Sequence, residues 1–384
     1  MEKSISFFLF VEELYLTIFV PFFLEKIIIK WYSCITKWGV KMKDTVYISG
    51  HRNPDTDSIC ATICYAHLKN IVSDMNYIPI RLGDINNETK FVLDYFNVPI
   101  PSFMDTIRLK VSDLEYVRVS PLKSSVTVKK AEKYLMDNSL DYIAVSDSKN
   151  KLKGMLTISN LNKVYTNEWK DNVLFDSKTT IEHIVETFDA KILNINRDMK
   201  YYPGKIWIAA SNEENIKNNI KRGDIVIIGD RDDVQKVLVD IGVSLIILTG
   251  GAMMNTGLLL QAVNKGITVI SASCDSLSAA RLLFLSIPIS YVMADNNLIS
   301  FNADELVKDV KNTMVKNRYR AYPVLDDNGY VLGMMSRYNL LSKDKKKIIL
   351  VDHNEYTQAI DGIEEADIVE VIDHHRVADL QSSH

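Results

Sequence analysis

Thr45-Val46-Tyr47-Ile48-Ser49, then Gly50-His51-Arg52-Asn53-Pro54-Asp55-Thr56-Asp57, then an apolar-periodic stretch over 58–72, reads as strand, polar loop and helix. Outward from it, 77–82 has the β-branched, alternating character of a second strand and 89–96 the pattern of a short helix. Strands alternating with helices predict a parallel α/β sheet. Near the other end, 347–351 and 368–372 are again short β-branched runs, with a helical segment expected between them. The two ends are expected to be pieces of one sheet, interrupted by a long insertion.

The insertion contains a repeat. Tyr142-Ile143-Ala144-Val145-Ser146-Asp147 leads to Gly154-Met155-Leu156-Thr157-Ile158-Ser159-Asn160. Ala321-Tyr322-Pro323-Val324-Leu325-Asp326 leads, with the same Asp-to-Gly offset, to Gly333-Met334-Met335-Ser336-Arg337-Tyr338-Asn339. Each copy follows an amphipathic stretch (128–138 and 303–316) and runs into another helix start, so two β-α-β-β-α units are expected to pack on one another. A glycine in each strand lets a ligand approach the backbone. This repeat resembles the CBS-domain pair. The resemblance implies an adenine-nucleotide site at Thr157, Ile158, Ser159, Asn160, Ser336, Arg337, Tyr338 and Asn339, with both strand ends beside one cleft. Tyr319 is placed to stack on a base or to meet its symmetry mate, and Arg318, Arg320 and Arg337 to supply positive charge for phosphates. Asn stands at 160 and 339 where that family has Asp; it keeps an acceptor and loses charge-assisted strength.

Between the copies, 176–284 reads as another α/β unit. Gly229-Asp230-Arg231-Asp232-Asp233 opens a helix, and the apolar run 245–248 ends in Thr249-Gly250-Gly251. Strand followed by Thr-Gly-Gly is either a phosphate-contacting turn or, by default, a plain one. The stretch resembles the DRTGG domain.

His51, Asp55 and Asp57 share one loop at the end of the first strand, where open α/β sheets place their ligands. Asp352 follows the strand at 348–351, and Asp373, His374 and His375 follow 369–372. Acid and imidazole groups at three strand ends point to adjacent hard or borderline cations. Mixed nitrogen and oxygen ligation suits manganese, cobalt or magnesium better than a closed zinc site.

Gly50-His51-x-Asn53-Pro54-Asp55-x-Asp57-Ser58, Asp352-His353-Asn354, Asp373-His374-His375 and Arg81-Leu82-Gly83-Asp84-Ile85-Asn86-x-Glu88-Thr89-Lys90 resemble the family II inorganic pyrophosphatases of the DHH superfamily. The CBS–DRTGG–CBS insertion narrows the resemblance to the nucleotide-regulated subfamily. It implies that His51 and Asp55 bind one metal, that Asp57 and His374 bind the other, and that Asp352 bridges them. His375 would contact the substrate phosphate and assist the leaving group. The implied cofactors are two Mn2+ or Co2+ ions, with Mg2+ accompanying pyrophosphate. AMP, ADP, ATP or diadenosine polyphosphates are the implied regulators of a homodimer. The family's first lobe carries one more metal-binding aspartate and its second lobe a cationic phosphate clamp, neither of which is found by His384. The chain alone is therefore expected to bind metal but turn over little pyrophosphate. Two further readings are another DHH phosphoesterase, acting on oligonucleotides, cyclic dinucleotides or polyphosphate, and an adenine-nucleotide sensor without turnover.

The fold expectation is α/β throughout: a DHH domain in two parts, 42–110 and 343–384, around a first CBS repeat at 111–170, a DRTGG-like domain at 171–284 and a second CBS repeat at 285–342. The formal charge of −4 offers no basic field for nucleic acid. Cys60 and Cys64 lie in an apolar helical run, which predicts buried thiols and fits a reducing cytoplasm. The apolar stretch 1–41 is interrupted by Glu12, Glu13, Pro21 and Glu25. Each charge near a span's centre costs about 2.5–3.5 kcal/mol, so a membrane anchor is disfavoured. Met42 is expected to be the natural start.

Overall fold

The computed structural model describes residues 45–166, 171–317, 319–341, 345–380 and 382. The 1–41 stretch and Arg318 lie outside the described residues, so the expectations placed on them have no structural counterpart. No helix among the described residues is long and apolar enough to cross a membrane. The chain divides into two units, one running to Arg108 and resuming at Lys345, the other spanning Leu109–Asp344.

The first unit is an open sheet in the order Asp367–Ile372, Lys347–Val351, Thr45–Ser49, Asn76–Arg81, Ser102–Phe103. Every pairing in it is parallel. Val46, Ile48, Ile348, Ile349 and Leu350 are fully buried, which explains the unbroken apolar runs: a parallel strand is covered on both faces. The chain steps from Thr45–Ser49 to one side first and to the other only after the insertion, so the strand order reverses between Thr45–Ser49 and Lys347–Val351. That crevice is where open α/β sheets bind ligands.

The helix Thr56–Val72 begins because Asp55 caps it, its Oδ1 accepting from the Ser58 N–H at 2.9 Å. It buries Ile59, Thr62 and Ala66, which leaves Cys60 half-buried and Cys64 exposed on its flank. The expectation of two buried thiols is therefore corrected. A second correction concerns residues 352–366, which form a loop with one 3-10 turn, Ile363–Glu365, in place of a helix. The carbonyls that a helix would need for itself accept other donors: Gln358 O takes the Arg52 N–H, Ala359 O the Arg52 Nε–H and Asp361 O the Ile107 N–H.

In the second unit the two repeat copies have the same three-stranded sheet, Leu122–Lys123, Tyr142–Ser146, Leu152–Thr157 and Phe301–Asn302, Tyr322–Leu325, Val331–Met335. Even the irregularity repeats. A register shift follows Val145 in one copy and Val324 in the other, and each of these valines faces the strand glycine, Gly154 or Gly333. The copies share a small core that includes Ala144, Ala321 and Met334. They differ at their ends. The first closes with the helix Ile158–Thr166, which buries Leu161 and Val164; the second closes with a 3-10 turn, Arg337–Leu340. Leu340 packs on the second copy's core and Leu341, the last residue described before 345, is exposed. Among the described residues a 3-10 turn thus stands where a helix start was expected.

The intervening sheet runs Lys191–Asn194, Thr268–Ser271, Leu245–Leu248, Ile225–Ile228, Ile206–Ile208, with the first strand antiparallel and the rest parallel. A buried cluster covers each of its faces. Gly250 and Gly251 take left-handed conformations, and their N–H groups donate to Cys274 O and Ala272 O. Those donors are spent on the protein's own backbone, which makes Thr249-Gly250-Gly251 a plain turn.

Candidate metal centre and nucleotide cavity

The metal loop stands on two glycines. A Cβ at Gly50 would lie 1.8 Å from Ser58 Oγ, the atom that accepts the His51 N–H at 3.2 Å, so only glycine lets the loop fold onto the helix start. A Cβ at Gly83 would meet Arg52 O at 2.6 Å. Arg81 donates to Gly83 O at 2.6 Å, and Asn86 caps the helix Asn87–Tyr95. The Arg81–Asn86 motif thus buttresses the loop carrying His51.

Asp352 continues the strand Lys347–Val351, its N–H donating to Ile372 O, and then turns at φ +64°. A left-handed aspartate is strained by about 1–3 kcal/mol and such residues cluster at functional sites. The turn has a consequence. The buried carboxylate presents Oδ2 to His51 Nε2 at 3.5 Å and Oδ1 to His374 Nε2 at 3.2 Å, one oxygen to each imidazole. Asp55 Oδ1 lies 3.6 Å from His51 Nε2, and His375 Nδ1 lies 3.9 Å from Asp352 Oδ1.

All six expected residues, His51, Asp55, Asp57, Asp352, His374 and His375, line one cavity of ≈ 490 Å³. Donor atoms of His51, Asp55 and Asp352 lie within 4.8 Å of one another, as do those of Asp352, Asp373, His374 and His375. Asp57 lines the cavity from the first helical turn but joins neither cluster. The donors are nitrogens and oxygens with no sulfur, in two groups that share Asp352. That set fits two neighbouring hard or borderline divalent cations.

Sequence reasoning missed the layer beneath. Asn354, 7% exposed, donates from Nδ2 to Asp373 Oδ2 at 2.5 Å and to Arg376 O at 3.0 Å, while its Oδ1 accepts the Ala378 N–H at 2.8 Å. His353 is buried, with Nδ1 3.0 Å from Val351 O and Nε2 unpartnered; burial holds its pKa below the usual imidazole value. Their place beside Asp352 in the sequence was the one signal available. Asp373 accepts the His375 N–H at 3.1 Å and faces its Nδ1 at 2.7 Å. Burial opposes the Asp373 charge, yet these hydrogen bonds hold its carboxyl below the usual range and push the His375 imidazole up.

A second cavity, of ≈ 800 Å³, lies in the regulatory unit and is lined by Thr157, Ile158, Ser159 and Tyr319 among the expected residues, with Arg320, Asp141 and the 296–299 segment. Asn160, Ser336, Arg337, Tyr338 and Asn339 are not among its lining residues. Asn160 Oδ1 accepts from Thr157 N–H at 3.0 Å and from its hydroxyl at 2.7 Å, an N-terminal cap in place of a free acceptor. Asn339 does the same for Ser336, and its Nδ2 donates to Glu115 O. The Arg337 guanidinium donates to Met314 O and Asn317 O. This cavity therefore takes in the first copy's strand end and not the second's. Irregular segments such as 296–299 carry no periodicity, so nothing in the sequence marked them.

A parallel sheet with His and Asp donors at its switch point, interrupted by a paired-repeat module, defines a domain with a candidate metal site and a long insertion. Comparison with known proteins agrees. The DRTGG domain matches residues 183–286 and the CBS domain residues 289–346. Over 341 residues the chain is 46% identical to a cobalt-dependent inorganic pyrophosphatase of Clostridium perfringens, covering 89% of this chain and 62% of that protein. It is 35% identical over 347 residues to a probable manganese-dependent inorganic pyrophosphatase of Thermotoga maritima, again 89% and 62%. The chain thus spans 62% of the length of these curated relatives. A crystal structure of the CBS and DRTGG domains of the regulatory region of the Clostridium perfringens pyrophosphatase, complexed with its activator diadenosine tetraphosphate, is 41% identical, with a TM-score of 0.58. It covers 60% of this chain and 100% of that one. The chain shares the CBS and DRTGG domains of that regulatory region and is similar, over 62% of their length, to metal-dependent inorganic pyrophosphatases.

Proposed function

We propose that this chain carries a two-cation site and the regulatory region of a cytoplasmic, homodimeric inorganic pyrophosphatase controlled by adenine nucleotides. The observation that carries the catalytic half is the division of Asp352, with one carboxylate oxygen facing His51 and the other facing His374. His51 and Asp55 would hold one Mn2+ or Co2+ ion and Asp57 and His374 the other, with Asp352 offering an oxygen to each half. A pair of such cations supplies Lewis-acid charge for the phosphates and acidifies water beside them. The chain's own residues position: the Asp55 cap and the Gly50–Ser58 contact fix the first donors, and Asp373 orients the His375 ring. His375, held protonated more readily by Asp373, donates to the phosphate that leaves, and pyrophosphate enters with Mg2+.

In the regulatory half, the Thr157–Ser159 end and Tyr319 take an adenine nucleotide, with Tyr319 on the base and Arg320 near the phosphates. The relative solved with diadenosine tetraphosphate supports that ligand class. The domain limits proposed are 42–110 and 343–384 around repeats at 111–170 and 285–342 and a DRTGG-like domain at 171–284.

Manganese titration followed by electron paramagnetic resonance tests the catalytic half. Two ions are expected in the unaltered protein and at most one tight ion after Asp352→Ala. Equal binding by the two proteins would sink the assignment.

A further inference from the structure

We infer that Asn354 is a positioning residue that holds the His374 half of the cation site and leaves the His51 half to other supports. The inference rests on the two-cation reading and deepens it.

His374 and His375 stand on the chain after Ile372, a segment without helix or strand through Leu380. Its two ends are anchored independently of the Asn354 side chain: Ile372 belongs to the sheet, and Leu380, 3% exposed, sits in the core. Between them the Asn354 side chain holds the segment at three points, Asp373 Oδ2, Arg376 O and the Ala378 N–H. A fourth bond runs from the Leu380 N–H to Asn354 O. Asn354 is 7% exposed, and its carboxamide nitrogen donates twice while its oxygen accepts. A carboxamide is the one side chain of this size that both donates twice and accepts. Aspartate in its place would put a second carboxylate against Asp373 and lose both donors.

The other half of the site is fixed from elsewhere. His51 N–H donates to Ser58 Oγ, Asp55 Oδ1 accepts the Ser58 N–H, and Arg52 donates to Gln358 O and Ala359 O. None of these contacts involves Asn354. Loss of Asn354 therefore frees the His374 segment alone, and because both ends of that segment stay anchored, the fold survives.

The test uses the full chain and Co2+, since each imidazole that coordinates cobalt gives its own strongly shifted ring N–H resonance. Signals are assigned by their disappearance in His51→Gln and His374→Gln. In Asn354→Asp, and in the smaller Asn354→Ser, the His51 signal should appear at the same Co2+ concentration as in the unaltered protein. The His374 signal should require about 10- to 100-fold more, the usual cost of removing an outer-layer partner of a metal ligand. A purely structural role would shift both signals together, and that result, or no shift, overturns the inference while leaving the cation site standing. If the unaltered protein gives neither signal, the cation-site reading fails and this inference falls with it.

Discussion

The two repeat copies share strands, register and bulge, yet one ends beside a cavity and the other ends on itself. At Thr157–Ser159 the strand end opens to ≈ 800 Å³ of space. Both ends cap themselves, Asn160 on Thr157 and Asn339 on Ser336, but at 336–339 further donors are spent inside the protein: Arg337 on the carbonyls that close the helix Val307–Lys316 and Asn339 Nδ2 on Glu115 O. Near-identical motifs thus differ in what neighbouring segments do with their donors. A motif supplies groups; whether they remain available for a ligand is a tertiary matter.

The largest test of that comparison is on what the copies share. A Cβ at Gly333 would sit 2.5 Å from Val117 O, and one at Gly154 would sit 2.8 Å from Ala294 O. These glycines admit the chain's own backbone, in the bridges Val117–Met334 and Met155–Ala294, and not a ligand as the sequence had led us to expect. Gly333→Ala should cost about 3 kcal/mol and Gly154→Ala somewhat less, because part of its clash is with the flexible Met293 side chain. Urea unfolding reads both, and an unaffected Gly333→Ala would mean that the approach is not tight.

The next test separates the copies. Tyr319→Ala should weaken AMP binding by about 2 kcal/mol, roughly 30-fold in Kd, by removing a stacking surface. Tyr338→Ala, at the second copy's exposed end, should leave it unchanged. Calorimetry showing equal losses would mean that both ends contribute to one site.

The smallest effect is one of pH. His183, at the start of the helix Ile181–Phe188, is held below the usual imidazole pKa by burial, against a backbone hydrogen bond to Ser125 in the first copy. A depressed folded pKa means that its contribution is present above the unfolded value of about 6.5. It is lost as pH falls from there through the folded value. Hydrogen exchange in 124–157 should therefore rise on acidification before that in 301–335, and His183→Gln should remove the difference. Equal responses of the two copies would refute the link.

Much of the candidate metal site was legible because open parallel sheets place ligand-binding groups at strand ends, and a strand end is visible as an apolar run stopping at His or Asp. Asp352 was recognisable as a donor but not as a left-handed residue, since the conformation depends on the Ile372 carbonyl that its N–H reaches across the sheet. The 352–366 loop was misread as helical because local pattern says nothing about Arg52 and Ile107 claiming its carbonyls from far along the chain.

By itself the sequence determined the kinds of group available and their order: a strand that stops at His51, a repeat with the same Asp-to-Gly offset in both copies, and acid and imidazole groups after three apolar runs. These follow from backbone periodicity and side-chain chemistry, which act over a few residues. The tertiary structure decided how the groups are shared out. It gave one oxygen of Asp352 to each histidine, closed one repeat end and left the other open, and set Asn354 across the loop that carries His374. Each of these rests on a hydrogen bond between segments distant in sequence or separated by a turn, and a hydrogen bond depends on a few tenths of an ångström that packing alone sets.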